Sequence, residues 1–427
     1  MSVFFSILRN CSHSHGINAI HASKLSMYCG KSLPLWTAVA SLHPSFLSKR
    51  PSIQPCCAMS SIVLPPAKLG KAASSDEQLE FVSLFPDVVR DLSTDPEYDD
   101  IPEALKWFSR VLQYNVRGGK MNRGLAVGMS YKLLAEPSTI TPGTIRQAHI
   151  LGWCIELLQS YFLVADDIID NSPLRRGRPA WHVKDNRGLA AFNDAILLEA
   201  GIYKILKKHF QNEPYYTRIL ELFHSVTLKT SLGQTLDLQS NPGGKPQLDQ
   251  FTMDRYNAIV RYKTGFYSFY LPVALAMYMA GISDSDHVRV AGITDAELHR
   301  QARTILLEMG SFFQVQDDYL DCFGDASVTG KVGTDIGEGK CTWLAVVALQ
   351  RASPAQRALM EQHYGSSSDK SVEVVTTLYK ELGLPATYRS YEESTYALIR
   401  MHVQQISRGL NHKVFFKFLD KIHLRSV

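Results

Sequence analysis

Two stretches of this 427-residue chain end in the same pattern of three aspartates, Asp-Asp-x-x-Asp. They are Asp166, Asp167 and Asp170 in the first stretch, and Asp317, Asp318 and Asp321 in the second. On a helix, residues four apart share a face, so the outer aspartates of each pattern point the same way. Clustered carboxylates are costly to bury without a cation, and oxygen ligands favour a hard cation such as Mg²⁺. The repeat therefore predicts a pocket that holds a diphosphate through bridging Mg²⁺.

A single pattern of this kind also occurs by chance on solvent-exposed helices, where it has no chemical role. Here both copies follow uncharged runs that contain aromatic residues, which makes coincidence a poor explanation. The apolar side chains of these runs would line a cavity for a hydrocarbon. The sequence thus predicts a ligand with an anionic head and an apolar tail.

Basic residues lie near both aspartate clusters in the sequence. A glycine-rich turn at 118–123 places Lys120 and Arg123 at the start of a helix, where free backbone N–H groups already favour an anion. The other candidates are Arg175, Arg176 and Arg178 after the first cluster, Lys331 and Lys340 after the second, and Lys263 within a helix beside aromatic residues. Each could singly be a solvated charge. Their common proximity to the aspartates indicates phosphate binding.

Composition places the chain among globular proteins and argues against a nucleic-acid partner. It is 45% hydrophobic and 20% charged, with a net charge of +4. Residues 1–75 contain no Asp or Glu but hold 7 of the 45 Lys and Arg, so 38 basic residues face 41 acidic ones in the rest. The main part of the chain is therefore mildly acidic and lacks the basic excess that nucleic-acid binding requires.

The N-terminal segment differs from the rest of the chain. Residues 1–70 are basic, rich in serine and free of acids, as is typical of an organelle transit peptide, with a disordered tail as the alternative. We expect a mitochondrial destination, with a plastid, or a cytosolic form that starts at Met59, as alternatives. Beyond this segment only Cys154, Cys322 and Cys341 remain, without metal-ligand spacing, which fits a reducing intracellular compartment.

Residues 76–427 show helical periodicity throughout and no run typical of strands or hairpins. We predict an all-α fold, a single-domain antiparallel helical bundle around a deep central cavity. Predicted helices include 145–170, 189–210, 214–239, 250–281, 296–323, 340–352, 369–382 and 387–410. The uncharged segment 266–282 is at the low edge of the length that spans a membrane and contains Pro272, so we interpret it as a core helix. Integral membrane association is not expected.

The motifs together resemble the short-chain trans-isoprenyl diphosphate synthases. The residues of several motifs are most similar to those of animal, insect-like members. The resemblance covers about residues 80–425 and so identifies residues 76–427 as a prenyltransferase helical domain. Its motifs are G-G-K-M-N-R-G at 118–124, L-L-Q-S-Y-F-L-V-A-D-D-I-I-D-N-S-P-L-R-R-G at 157–177, G-Q-T-L-D-L at 233–238, Y-K-T-G-F-Y-S-F-Y-L-P at 262–272, F-F-Q-V-Q-D-D-Y-L-D at 312–321 and G-K-V-G-T-D-I with K-C-T-W at 330–343.

The resemblance implies a role for each matching residue. The six aspartates would hold Mg²⁺ on an allylic diphosphate, which Arg175, Lys263, Lys331 and Lys340 would also bind. Isopentenyl diphosphate would be bound by Lys120, Arg123, Gln159 and Arg176, with Phe313 nearby. Thr264 and Gln314, with Lys263, would serve catalysis beside the developing allylic cation. A homodimer is also implied.

Product length is expected to depend on Tyr161 and Phe162, which lie about one helical turn before Asp166 and whose rings can block a growing chain. We expect condensation of isopentenyl diphosphate with dimethylallyl and geranyl diphosphates to farnesyl diphosphate, with geranyl diphosphate as the competing product. Plain core packing is the alternative role for either ring. The alternative functions are a terpene synthase, a bifunctional enzyme, or a non-catalytic partner subunit.

Three features depart from the family pattern. Arg178 and Ala180 stand where we expect Gln and often Cys, and Gly337 and Gly339 stand where polar side chains are usual. The C-terminal tail retains only Arg425 of the expected basic cluster.

Overall fold

The computed structural model describes residues 75–288, 292–325, 333–406 and 409–423. The predicted transit peptide, Lys331 and Arg425 therefore lie outside the described residues. The helices are α1 (Ser75–Ser83), α2 (Phe85–Ser93), α3 (Pro102–Asn115), α4 (Asn122–Leu134), α5 (Pro142–Ile169), α6 (Ala191–Phe210), α7 (Tyr216–Ser240), α8 (Met253–Ile259), a π-helix (Val260–Tyr270), α9 (Leu271–Met279), α10 (Asp295–Phe323), α11 (Asp335–Glu338), α12 (Trp343–Arg351), α13 (Pro354–His363), α14 (Asp369–Glu381), α15 (Leu384–Ile406) and α16 (His412–His423).

Helix α5 is the centre of the bundle and carries the first aspartate cluster at its C-terminal end. It begins at a capping box in which Thr141 and Thr144 bond each other's backbone N–H, with Pro142 in the first turn. In the described part of the chain α5 is also the one helix long and apolar enough to cross a membrane, but 78% of its most apolar window is buried. A core helix meets the same criteria, so this is weak evidence for a membrane span.

A continuous helical rod runs from α8 through the π-helix to α9. Lys263 and Thr264 lie in the π-helical part, and Leu271–Tyr278 of α9 are buried, as predicted for a core segment. Helix α7 packs very closely against the rod, because a Cβ on Gly233 would lie 2.2 Å from the backbone nitrogen of Lys263. The glycine of the G-Q-T-L-D-L motif is therefore required by packing.

Helix α10 lies on the other side of the rod and carries the second aspartate cluster. Its N-terminus is capped by Thr294, whose hydroxyl accepts a hydrogen bond from the N–H of Glu297. Buried apolar residues of α10 pack against the rod, α15 and α16. The π-helical segment thus lies between α7 and α10, and α10 carries the second aspartate cluster.

The all-α prediction is confirmed, with small additions that the sequence analysis missed. A two-residue hairpin pairs β1 (Leu174–Arg175) with β2 (Arg178–Pro179) inside the arginine-rich loop. Helices α13 and α16 were not predicted. Both had usable signals, a Ser353–Gln356 capping box for α13 and an apolar stripe including Phe415 and Leu419 for α16.

Candidate active site

The first aspartate cluster is surrounded by basic side chains. Arg175 donates two hydrogen bonds to one carboxylate oxygen of Asp167, at 2.9 and 2.5 Å, and lies 3.9 Å from Asp166. The ammonium of Lys340 lies 3.3 Å from Asp170. The arginine and lysine predicted to bind phosphate therefore do lie beside the first cluster, where they compensate its charge.

Two residues of the G-Q-T-L-D-L motif join this cluster, although the sequence analysis gave them no role. The amide of Gln234 donates to Asp166 at 3.1 Å, and Asp237 accepts from Lys263 at 2.6 Å. Lys263 also lies 3.8 Å from Asp166. The sequence analysis could not detect these pairs, because Asp166 and Lys263 are far from Gln234 and Asp237 along the chain. Gln234 and Asp237 therefore position Asp166 and Lys263, respectively.

Burial shapes the ionisation of this cluster. It raises the pKa values of Asp167 and Asp170, against the lowering effects of Arg175 and Lys340. Burial also tends to lower the pKa of Arg175, but its bond to Asp167 and the neighbouring carboxylates raise that pKa overall. The pKa of Lys263 is likewise raised by its acidic neighbours in spite of burial. Each charge in the cluster thus depends on an opposite charge beside it.

Asp318 of the second cluster is fully buried and accepts three hydrogen bonds. Its donors are the hydroxyl of Tyr256 at 2.8 Å, the N–H of Trp343 at 2.8 Å and the amide of Gln314 at 2.9 Å. The amide oxygen of Gln314 in turn accepts from the hydroxyl of Thr264 at 3.1 Å. Asp318 therefore orients Gln314 and, through it, Thr264. Its predicted role as a metal ligand stays a prediction.

The other aspartates of the second cluster are half-buried. Asp321 accepts hydrogen bonds at 3.0 Å from the N–H groups of both Thr334 and Asp335, which tie the start of α11 to α10. Helix α11 leads directly to Lys340, which reaches Asp170 of the first cluster. The two aspartate clusters are thereby connected through α11 and Lys340.

The glycine-rich turn forms a second basic region. Arg123 donates to Ser268 at 3.0 Å and to Tyr267 at 3.2 Å, and Lys120 is exposed. The guanidinium of Arg176 lies against Gly119, where a Cβ would be only 2.8 Å away. These three predicted anion-binding residues come from three separate elements and gather on one side of the site.

Two buried polar side chains of α5, Glu156 and Gln159, lie next to this second basic region. Glu156 accepts the N–H of Gly124 at 2.8 Å, and burial raises its pKa. Gln159 is also buried, and its side-chain oxygen accepts no hydrogen bond from any described residue. An amide with an unused acceptor in a basic region is suited to a polar ligand.

Aromatic side chains line the apolar part of the site. The rings of Tyr161 and Phe162 are 5.0 Å apart, and Phe162 lies edge-on to Tyr267 at 5.6 Å. Phe313 contacts Phe269 at 5.4 Å on the opposite helix. The predicted chain-length residues are therefore packed as a pair where α5 faces the rod.

Comparison with known proteins shows the family. A profile described as polyprenyl synthetase matches residues 105–382. The chain is 47% identical to a farnesyl pyrophosphate synthase of Nezara viridula over 87% of each chain, and 48% identical to that of Gallus gallus over 82% of this chain and 92% of the relative. The human farnesyl pyrophosphate synthase is 47% identical over 82% of this chain and 81% of its own.

Solved structures agree with the sequence comparison. The T. brucei farnesyl diphosphate synthase complexed with minodronate superposes with a TM-score of 0.74 at 28% identity, covering 82% of this chain and 100% of that one. The risedronate complex of the same enzyme gives a TM-score of 0.72. The bundle is thus an isoprenoid synthase fold. The chain belongs to the polyprenyl synthetase family, among the short-chain trans-isoprenyl diphosphate synthases.

Proposed function

We propose that this enzyme is a Mg²⁺-dependent farnesyl diphosphate synthase. It joins isopentenyl diphosphate to dimethylallyl diphosphate and then to geranyl diphosphate. The relatives compared above support this product, since each of them is named for it. No observation favours the terpene synthase alternative.

One observation carries the proposal. Lys263 and Thr264 are neighbours on the π-helix, yet Lys263 lies beside Asp166 of the first cluster and Thr264 bonds Gln314, which is held by Asp318 of the second. A phosphate-binding cation and a neutral oxygen are thereby fixed side by side between two acidic helices. This is the arrangement that an ionising allylic diphosphate requires.

The side chains divide the reaction between them. Arg175, Lys263 and Lys340 bind and orient the allylic diphosphate and stabilise the negative charge that grows on it as its C–O bond breaks. The hydroxyl of Thr264 donates to Gln314, so its oxygen lone pairs are free to face the allylic cation. Isopentenyl diphosphate, bound by Lys120, Arg123, Gln159 and Arg176, presents its double bond to that cation. The surrounding aromatic rings exclude water from it.

The aspartates of the site suit a Mg²⁺ ion whose coordination shell is completed by phosphate oxygens of the substrate. In the described ranges no three His, Cys, Asp or Glu side chains lie close enough to hold a metal alone. Asp166 and Asp170, with side chains 24% and 18% exposed, offer oxygen ligands on one helix face. Mg²⁺ is commonly held by one or two carboxylates plus phosphate oxygens. Bound there, with Asp317 and Asp321 opposite, it would supply Lewis-acid stabilisation of the departing diphosphate.

Product analysis of the purified full chain tests the proposal. The enzyme is supplied with Mg²⁺, isopentenyl diphosphate and either dimethylallyl or geranyl diphosphate, and products are identified before and after phosphatase treatment. A C15 alcohol that appears only after phosphatase, and not in the presence of EDTA, is the expected result. A C10 product would make it a geranyl diphosphate synthase. Hydrocarbons released without phosphatase would indicate a terpene synthase, and no turnover would indicate a partner subunit.

The paired rings of Tyr161 and Phe162 predict control of product length. Replacing Phe162 with alanine opens space beyond the C15 chain, so we expect C20 and longer products from the same substrates. The measurement is chain-length analysis after phosphatase treatment. Phe416→Ala, which removes a half-buried ring on α16, is the matched control and should leave C15 unchanged. An unaltered C15 product from Phe162→Ala would place the floor of the pocket elsewhere.

We also propose that the enzyme is a homodimer formed through α6 and α7. Phe192 and Ile196 on α6, and Leu228 and Leu232 on α7, are 57, 46, 61 and 51% exposed. Tyr203 on α6 stacks on His224 on α7 at 4.3 Å, so the two helices adjoin, and we infer that the four residues form one apolar patch. An apolar patch of this kind favours burial against another protein surface, here a second copy.

A charge in this patch is expected to dissociate the dimer. Leu228→Glu should shift the sedimentation coefficient from that of a dimer to that of a monomer, because a carboxylate would be buried without a partner. Leu79→Glu, at an exposed leucine of α1, is the control and should remain dimeric. A monomeric wild type, or a dimer unaffected by Leu228→Glu, would contradict the proposed interface.

For location, we propose a mitochondrial transit peptide in residues 1–70, supported by their basic, acid-free composition. A fluorescent protein fused behind residues 1–74 should accumulate in mitochondria. Plastid or diffuse cytosolic fluorescence would favour the alternatives. The comparison should include a chain that starts at Met59.

A further inference from the structure

Outside the aspartate clusters, Asp194 on α6 is a buried carboxylate of the described residues with three hydrogen-bond donors and no role assigned above. It is 1% exposed. Its oxygens accept from the indole N–H of Trp107 at 2.8 Å, the indole N–H of Trp181 at 2.9 Å and the guanidinium of Arg187 at 2.8 Å. Trp107 belongs to α3, whereas Trp181 and Arg187 belong to the segment between α5 and α6. One carboxylate therefore fastens that segment to two helices.

The fastened segment, residues 171–190, is here called the arginine loop. It contains Arg175 and Arg176, and it includes the β1–β2 hairpin. Its beginning is fixed to α5, because the N–H of Ser172 donates to the carbonyl of Asp167 at 2.9 Å. Its end is fixed by the bonds of Trp181 and Arg187 to Asp194. The two arginines are therefore held between two anchors.

The two neighbouring arginines of the loop serve different sides of the active site. Arg176 has a φ of 54°, in the left-handed region that a long side chain rarely adopts. Arg175 reaches Asp167, whereas Arg176 packs on Gly119 in the glycine-rich turn. A strained turn of this kind persists only where the surrounding structure holds it. The anchors are the part of the fold placed to do so.

Packing around Asp194 connects it to the hairpin. The guanidinium of Arg187 stacks on Trp107 at 4.1 Å, and Tyr114 contacts Trp181 at 5.0 Å. Tyr114 also donates to the carbonyl of Pro179 at 2.8 Å and lies under the guanidinium of Arg178 at 4.0 Å. Contacts therefore run without a break from Asp194 through the aromatic rings to β2 of the hairpin.

We infer that Asp194 is a positioning residue for both diphosphate sites. It acts through Trp181 and Arg187, which fix the arginine loop, and so through Arg175 on the allylic side and Arg176 on the isopentenyl side. The inference rests on the proposed function, because it assigns the two arginines to two diphosphates. Asp194 itself touches neither substrate.

The test is Asp194→Asn in the full-length enzyme. Asparagine keeps the shape but cannot accept from three donors, so the loop loses an anchor while the reacting groups remain. We expect KM for both isopentenyl and geranyl diphosphates to rise about tenfold or more, with a smaller loss of kcat because Arg175 also stabilises the departing diphosphate. Titration calorimetry with inorganic pyrophosphate should show correspondingly weaker binding.

Asp91 offers a matched control. It is also a buried carboxylate, and it accepts from Lys208 and His209 of α6 at 2.7 Å each, away from the arginine loop. Asp91→Asn should cost stability in the same way and leave both KM values at the wild-type level. A KM increase of equal size in both variants would overturn the inference, because it would show a general effect of weakening α6.

Trp181→Phe keeps the test decisive if Asp194→Asn does not fold. It keeps an aromatic ring and removes one donor to Asp194, so a smaller KM increase for both substrates is expected. Unchanged KM values in Trp181→Phe, or a lower kcat alone in Asp194→Asn, would reduce Asp194 to a purely structural residue. A wild-type enzyme without prenyltransferase activity would instead refute the proposed function, which the product analysis detects separately.

Discussion

Replacing Asp166 with alanine is expected to lower kcat by about 100- to 1000-fold, the scale of losing one electrostatic contact to a charge that develops in the transition state. Asp166 is half-buried and lies between Gln234, Lys263 and Arg175. It is the carboxylate through which the basic side chains and a bound Mg²⁺ would meet. Steady-state kinetics with geranyl and isopentenyl diphosphates measures the loss.

The fold should survive this change. Lys263 keeps its contact with Asp237, and Arg175 keeps its bonds to Asp167, so no cation is left without a partner. The melting temperature is therefore expected to stay within a few degrees of the wild type. Asp87→Ala is the control, since Asp87 also lies between two arginines but on the surface. If Asp166→Ala turned over within about threefold of the wild type, the metal-cluster assignment would fail.

The second large effect is expected from Asp318→Asn. A carboxylate can only accept, so the Gln314 amide must turn its nitrogen toward Asp318 and its oxygen toward Thr264. The hydroxyl of Thr264 then donates its hydrogen bond to Gln314, and its oxygen lone pairs can face the allylic cation. Asparagine can also donate, which removes the reason for this orientation. We expect kcat to fall about 100-fold with little change in either KM.

Tyr256→Phe separates orientation from stability. It removes one of the three donors to Asp318 but leaves the carboxylate as a pure acceptor. Both variants should lose about 1–3 kcal/mol of unfolding free energy through a broken buried hydrogen bond. Only Asp318→Asn should also lose turnover. Denaturant unfolding curves and steady-state kinetics, measured on both variants, test this difference. Equal losses of kcat in the two variants would rule out an orienting role.

Much of the site could be predicted because its parts follow local rules. Four-residue spacing placed Asp166 and Asp170 on one helix face, and an uncharged run predicted the buried α9. Gln234 and Asp237 escaped notice because their partners, Asp166 and Lys263, come from other helices. On α7 alone they look like ordinary solvated side chains.

The buried role of Asp318 escaped prediction for a related reason. Within the sequence the aspartates of a pattern look equivalent, and only the position of Tyr256 and of the N–H of Trp343 distinguishes Asp318. The π-helix also has no signature in composition, because it differs from an α-helix only in which carbonyl each N–H reaches. Tertiary packing decides both features.

That π-helix makes the segment sensitive to chain length. Deleting one residue from Val260–Tyr270 would rotate the residues on one side of the deletion by about 100° around the helix axis relative to the other side. Lys263 could then no longer face Asp166 while α9 stayed buried. Loss of one codon here should therefore abolish activity. The spacing of residues along this segment is therefore as important to the enzyme as the identity of Lys263.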